Sequence, residues 1–357
     1  MKKIALILSL FFLISCNLKE SNSQNEKEFN YSIKAKTTKV GDSTIVYIYN
    51  LDNFLKPFDS TFIINQEFSF KGKIDEPFPA FFAFLDSVRR YPMYDFWMDT
   101  SDLEIDIDLS STDNSSLNFT PDQIRGSQLN LLFIDYSKKT KGLLKQEGKA
   151  VLNREIKDFV FENPNNYLSL YLAFSFRDLF NNSLQQYYAK LDEVYRNSSY
   201  GKAINQILTS KKVEVGGELI EIIAEDLDRN TIRLSNFKGK VILLDFWSST
   251  CAPCRVQIRD KFSKLKRKYK DKEFIIVSFS LDTEYSAWKK ASKEDGINWI
   301  NISDLKGQKS PVVIDYNVWG IPRTFLIDKE GIIRNLELGY DGESDLLEME
   351  IDKLLVD

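Results

Sequence analysis

The segment VILLDFWSSTCAPC, residues 241–254, constrains this chain more than any other. Its almost unbroken apolar run reads as a strand buried on both faces, the pattern of a parallel sheet. Shortly after it, Cys251 and Cys254 stand at the start of a helical pattern in which Ile258, Phe262, Leu265 and Tyr269 share one stripe. A second apolar run, EFIIVSFSL, follows. Strand, helix, strand in that order requires a parallel pair joined by a crossover helix. Further on, RTFLID and IIRNLEL flank Asp328, Lys329, Glu330 and Gly331 and predict a hairpin.

Two thiols at this spacing can be half a zinc site, a structural staple or a redox pair. A closed zinc site needs four ligands, usually Cys or His, and the 357 residues contain no histidine and three cysteines. The missing imidazole also excludes Ser-His-Asp and Cys-His catalysis. A staple closing so short a loop removes little entropy from the unfolded chain. A redox pair fits better, because the first sulfur falls at a helix N-terminus, where free N–H groups favour a thiolate. Arg255 is expected to add positive charge, and Pro253 suits the first helical turn. Cys251 is then the nucleophile that forms a mixed disulfide, and Cys254, one turn deeper, resolves it. No cofactor beyond this pair is called for, and no metal.

The third cysteine reads differently. MKK followed by IALILSLFFLI is a charged n-region and an apolar core too short to remain as a spanning helix. It ends in Leu13, Ile14, Ser15 and Cys16, which resembles a bacterial lipobox. This predicts a signal peptide over 1–15, lipidation of Cys16 and a polar tether over 16–30. Asn17 does not look like an inner-membrane retention signal, which leans toward the outer membrane. A net charge of −4 carries no footprint for nucleic acid.

Residues 31–120 alternate in short runs such as STIVYIYN, EFSFKGKI and LEIDIDL, and predict an all-β domain. Asp102, Glu104, Asp106 and Asp108 read as one solvated acidic face before they read as a calcium site. YPMYDFW, residues 91–97, is expected to serve packing before it lines a groove. Residues 121–212 carry helical spacing with no catalytic constellation.

Residues 213–357 resemble a thioredoxin-fold domain of the TlpA-like family, bacterial envelope thiol–disulfide oxidoreductases. KGKVILLDFWSSTCAPC, VSFSLD and WGIPRTFLID carry the resemblance. EFSFKG and RGSQLN resemble, more weakly, the β-rich domain of unknown function that precedes such modules. The fold expected is therefore multidomain: an N-terminal all-β domain, a helical middle and a C-terminal α/β thioredoxin fold. The resemblance implies that Ile321-Pro322 is a cis bond beside the cysteines, that the backbone of Ile321 pairs with the substrate chain, and that Asp245 is a buried acid shuttling a proton for Cys254. It also implies an inserted strand–helix unit between CAPC and GIP.

Trp247 is expected to shape access to the pair, and Thr250, where thioredoxins usually have Trp, leaves a small polar lip. Arg323, where Thr is commoner, would favour acidic partners. Gln257 stands where some relatives carry Glu, so proton handling falls to Asp245. The function implied is exchange of protein disulfides in the envelope, as a reductase drawing on an upstream electron donor. A peroxiredoxin-like peroxidase, and a binding lipoprotein whose β domain captures a ligand or partner, are the alternatives.

Overall fold

The computed structural model describes residues 30–38, 40–85, 93–108, 116–120, 122–338 and 346–356. The expected leader 1–15, Cys16 and nearly all of the expected tether lie outside the described residues, as do Tyr91 and Pro92. Among the described residues no helix is long and apolar enough to cross a membrane.

Alternation in the first part produces two sheets over one core. One sheet runs Glu67–Gly72, Tyr31–Thr38, Asp102–Asp108, Ile124–Arg125; the other runs Asp59–Phe62, Ile45–Asn50, Phe78–Leu85, Met93–Met98, Ser116–Asn118. Their inner faces meet in an aromatic cluster in which Phe82 stacks on Phe96 at 4.3 Å and meets Phe68 edge-on at 5.7 Å. Leu103, Ile105 and Ile107 point inward from Asp102–Asp108. The acids between them face outward, and Arg125 bonds Asp106 at 2.9 Å. Among the described residues no group of acids, cysteines or histidines is arranged for a metal. The sheet runs past residue 120, because Ile124 pairs with Ile105.

Helices begin at Gln128. Each of three starts carries its own cap: Ser127 accepts from the Asn130 N–H, Asn166 from that of Ser169, and Ser198 from that of Gly201. Their apolar faces close on a second core containing Leu170, Tyr187 and Ile204. Trp97 of the β domain and Ile314 of the last domain insert into this same core, so the helical segment joins the other two.

The C-terminal sheet has the order Thr231–Arg233, Ile223–Asp226, Ile300–Ser303, Phe274–Ser280, Val241–Trp247, Arg323–Ile327, Ile333–Leu338. Val241–Trp247 is central and every residue of it is buried. It pairs in parallel with Phe274–Ser280 and antiparallel with Arg323–Ile327, and the expected hairpin with Ile333–Leu338 forms. The helix after the cysteines runs from Ala252 through a π-helical stretch, Ile258–Phe262, to Lys268. Ile258, Phe262, Leu265 and Tyr269 are its buried stripe. The inserted unit is the helix Tyr285–Glu294 with the strand Ile300–Ser303.

Candidate active site

The chemistry collects at the end of the central strand. A fully buried strand must surface somewhere, and this one does so through Ser248, Ser249 and Thr250 before turning into the helix. The loop is held from the neighbouring strand by a buried carboxylate. Asp282 accepts from the Ser249 N–H at 3.0 Å, from Ser249 Oγ at 2.6 Å and from Ser280 Oγ at 2.7 Å. Asp282 had no assigned role in the sequence reading. The signal was present, since a lone acid at the end of an apolar strand must be solvated by something.

Cys251 is the N-cap of the helix and is disulfide-bonded to Cys254, with Cα atoms 5.3 Å apart. Its Sγ accepts from the Cys254 N–H at 3.2 Å. The two sulfurs are not equivalent. Cys251 is half-buried at the surface, whereas Cys254 is 1 % exposed and packs with Leu243, Trp247 and Ile258. Only Cys251 can be reached from outside, the asymmetry that nucleophile and resolver require.

Asp245 lies beneath them. Side chains alternate along a strand, so it shares the face of Leu243 and Trp247, which pack with Cys254. It is 1 % exposed, accepts from Ser278 Oγ at 3.1 Å, and its Oδ1 has no partner among the described residues. Ser278 itself accepts from Trp299 Nε1 at 2.9 Å. Burial pushes the Asp245 carboxyl up to about 8, and the Ser278 bond only partly offsets it. At neutral pH it is mostly a neutral acid.

The Ile321-Pro322 bond is cis, and Pro322 is buried at the head of Arg323–Ile327. In that strand Thr324 pairs with Asp245 and Arg323 with Phe246. Ile321 and Cys251 pack against the same apolar cluster, which brings the cis-proline turn to the cysteines. Thr250 is exposed, 3.2 Å from Ser248 Oγ, and forms the small polar lip before Cys251. Gln257 is 1 % exposed one turn after Cys254, with Oε1 unpartnered among the described residues. A buried polar amide thus sits near the pair and does not titrate.

Three expectations are corrected. Trp247 is fully buried and donates to Asn301 Oδ1 at 3.2 Å, so it supports the site from below and offers substrate no surface. Arg323 shares a strand face with Phe325, whose ring packs in the cluster on the other side of the sheet. Its guanidinium therefore points away from the cysteine helix and is not placed to meet an acidic partner at Cys251. Arg255 binds Asp295 at 2.7 Å and Glu294 at 2.8 Å, and Asp295 also takes Arg259 at 2.6 Å. Its charge is paired with these acids and not left free beside the thiol.

Known proteins match this chain over both of its end domains. The Redoxin family model matches residues 214–353, and the Domain of unknown function (DUF4369) matches residues 31–133. Thiol-disulfide oxidoreductase ResA of Bacillus thuringiensis subsp. konkukian is 32% identical over 121 residues, 34% of this chain and 68% of that protein. The ResA of Bacillus anthracis is 31% identical over 136 residues, 38% and 76% of the two chains. The solved thioredoxin domain of a thiol-disulfide oxidoreductase from Bacteroides vulgatus is 33% identical, covering 40% of this chain and 99% of that one, with a TM-score of 0.37. With an exposed and a buried cysteine at a helix start, this chain belongs to the thioredoxin-like thiol–disulfide oxidoreductases, carrying its Redoxin domain behind an N-terminal domain of unknown function.

Proposed function

We propose that the chain reduces disulfides of partner proteins in the cell envelope, tethered to a membrane through lipidated Cys16, with the outer membrane favoured. The unequal exposure of the two sulfurs carries the mechanism. In the dithiol form, Cys251 thiolate attacks one sulfur of a partner's disulfide; a mixed disulfide forms and the partner's other sulfur leaves as thiolate. Cys254 gives its proton to the ionised fraction of Asp245 and attacks Cys251 Sγ, which breaks the mixed disulfide and releases the partner's second sulfur as a thiolate that takes a proton from water. Two electrons have passed to the partner, and the Cys251–Cys254 disulfide awaits a dithiol donor upstream.

The reductase reading is supported by what stabilises the reduced pair. Strong oxidants owe their potential to a thiolate stabilised by nearby positive charge. Here Arg255 is neutralised by Asp295 and Glu294, and a buried acid lies under the cysteines. With Arg255 committed to acids, the Cys251 thiolate keeps the support of the helix start and the Cys254 N–H but gains less than a free cation beside it would add, which favours a reductant. Equilibrated against thiol–disulfide buffers, the pair is expected to show a midpoint below about −200 mV; one near about −120 mV, typical of a strong oxidant, overturns the reductase reading. Cys16→Ser is expected to move the protein from the membrane fraction to the soluble one in bacterial cells, and unchanged retention overturns the lipid anchor.

A further inference from the structure

One loop of the β domain is inverted in its chemistry: its polar side chains are committed and its apolar ones are exposed. Asp52 accepts from Tyr200 Oη at 2.6 Å and from Lys309 Nζ at 2.8 Å, and Asn53 Nδ2 donates to Glu284 Oε1 at 2.7 Å. These anchors belong to the helical segment and the C-terminal domain, so the loop is tied across the chain. The Leu51 N–H is bonded to Pro79 O at 2.9 Å, which fixes its base. Yet Leu51, Phe54 and Leu55 are 40 %, 52 % and 37 % exposed. Apolar side chains held out together on an anchored loop mark a contact surface, because nothing in the free protein rewards their exposure.

What they face decides the occupant. Phe54 and Leu55 line a cleft of about 580 Å³ whose other side includes Ser248, Thr250, Leu281 and Ile321. Thr250 precedes Cys251, and Ile321 precedes Pro322. The cleft therefore reaches the residues next to Cys251 and Pro322, and flanking residues of a partner disulfide bound at Cys251 can extend into it beside this loop. A space of this size takes a few side chains, not a folded domain. We propose that the 51–55 loop is a specificity wall: Phe54 and Leu55 receive apolar side chains next to the cysteine of an extended partner polypeptide. The β domain then selects disulfides with apolar flanks. This deepens the reading of the chain as a protein-disulfide oxidoreductase and rests on it.

Two short peptides with one disulfide each, flanked by Leu and Phe or by Ser and Asn, test it with the full chain. Wild type is expected to prefer the apolar peptide in kcat/KM by about tenfold, a difference of order 1.4 kcal/mol. Phe54→Ser/Leu55→Ser is expected to lower that ratio at least fivefold, through the KM of the apolar peptide. Phe54→Ser alone should move it the same way by less. Phe62→Ser, also on the β domain and 55 % exposed, is expected to keep the wild-type ratio. A wild-type ratio near one, an unchanged ratio in the double variant, or an equal fall in Phe62→Ser overturns the inference. A dimer that the double variant loses would assign the loop to a second copy and overturn it too. If wild type exchanges neither peptide, the oxidoreductase reading itself fails, an outcome distinct from healthy rates without preference.

Discussion

Cys251→Ser is expected to lose disulfide exchange by at least about three orders of magnitude, with its fold intact. The reasons are separable. Serine is a preferred N-cap, so its hydroxyl can take over the Cys254 N–H that Cys251 Sγ accepts at 3.2 Å, and the helix start survives. What disappears is the thiolate, for which a hydroxyl at neutral pH is no substitute. Cys254→Ala makes the complementary test. Cys254 is 1 % exposed, so its loss leaves the attacking sulfur accessible and removes only the resolver. That variant is expected to accumulate a mixed disulfide with insulin through Cys251, seen as a mass shift reversed by dithiothreitol. An adduct on Cys254 in the Cys251→Ser protein, at the rate wild type shows, would reverse the assignment of roles.

The central strand, the cysteine helix and the hairpin were legible because each carries a periodicity long enough to read. Val241–Trp247 is apolar on both faces, and four stripe residues define the helix after it. Ile223–Asp226 and Thr231–Arg233 were not legible, and Ile300–Ser303 was expected only through the family resemblance: strands this short are set by their neighbours in the sheet, not by their own pattern. The same limit governs the site. The cysteine pair and the Ile-Pro turn are local signals. The fate of Arg255 depends on Asp295, 40 residues away, and the side to which Arg323 points depends on the register of its strand against Phe246. The anchoring of Asp52 spans 257 residues to Lys309. Neither composition nor spacing encodes such contacts.

Asp245→Asn is expected to stabilise the oxidised protein at pH 7, by at most about 4 kcal/mol because burying the amide donors offsets part of the gain, and to flatten its stability profile between about pH 4 and pH 8. The unfolded carboxyl loses its proton near 3.8, whereas the folded one holds it until about 8. Below pH 4 both states are protonated and burial of the acid carries no ionisation penalty. Between the two values the unfolded state binds fewer protons, so stability falls as pH rises, by on the order of 5 kcal/mol in all. Above about 8 both states are ionised and the loss levels off. Asparagine keeps the shape and cannot ionise, so the fall vanishes. Retaining so costly an acid makes sense if it moves a proton. In wild type the fraction of Asp245 able to accept one is roughly a tenth at pH 7 and grows to about half near pH 8. Release of the partner from the mixed disulfide should therefore quicken over that interval. In Asp245→Asn it should be slower by about 10²-fold and lose that rise, with the attack by Cys251 less affected. Denaturant titrations across pH and single-turnover release measurements give the two halves separately. A stabilised variant with undiminished release would leave Asp245 a buried strain with no part in proton transfer, and an unchanged stability profile would remove the raised carboxyl altogether.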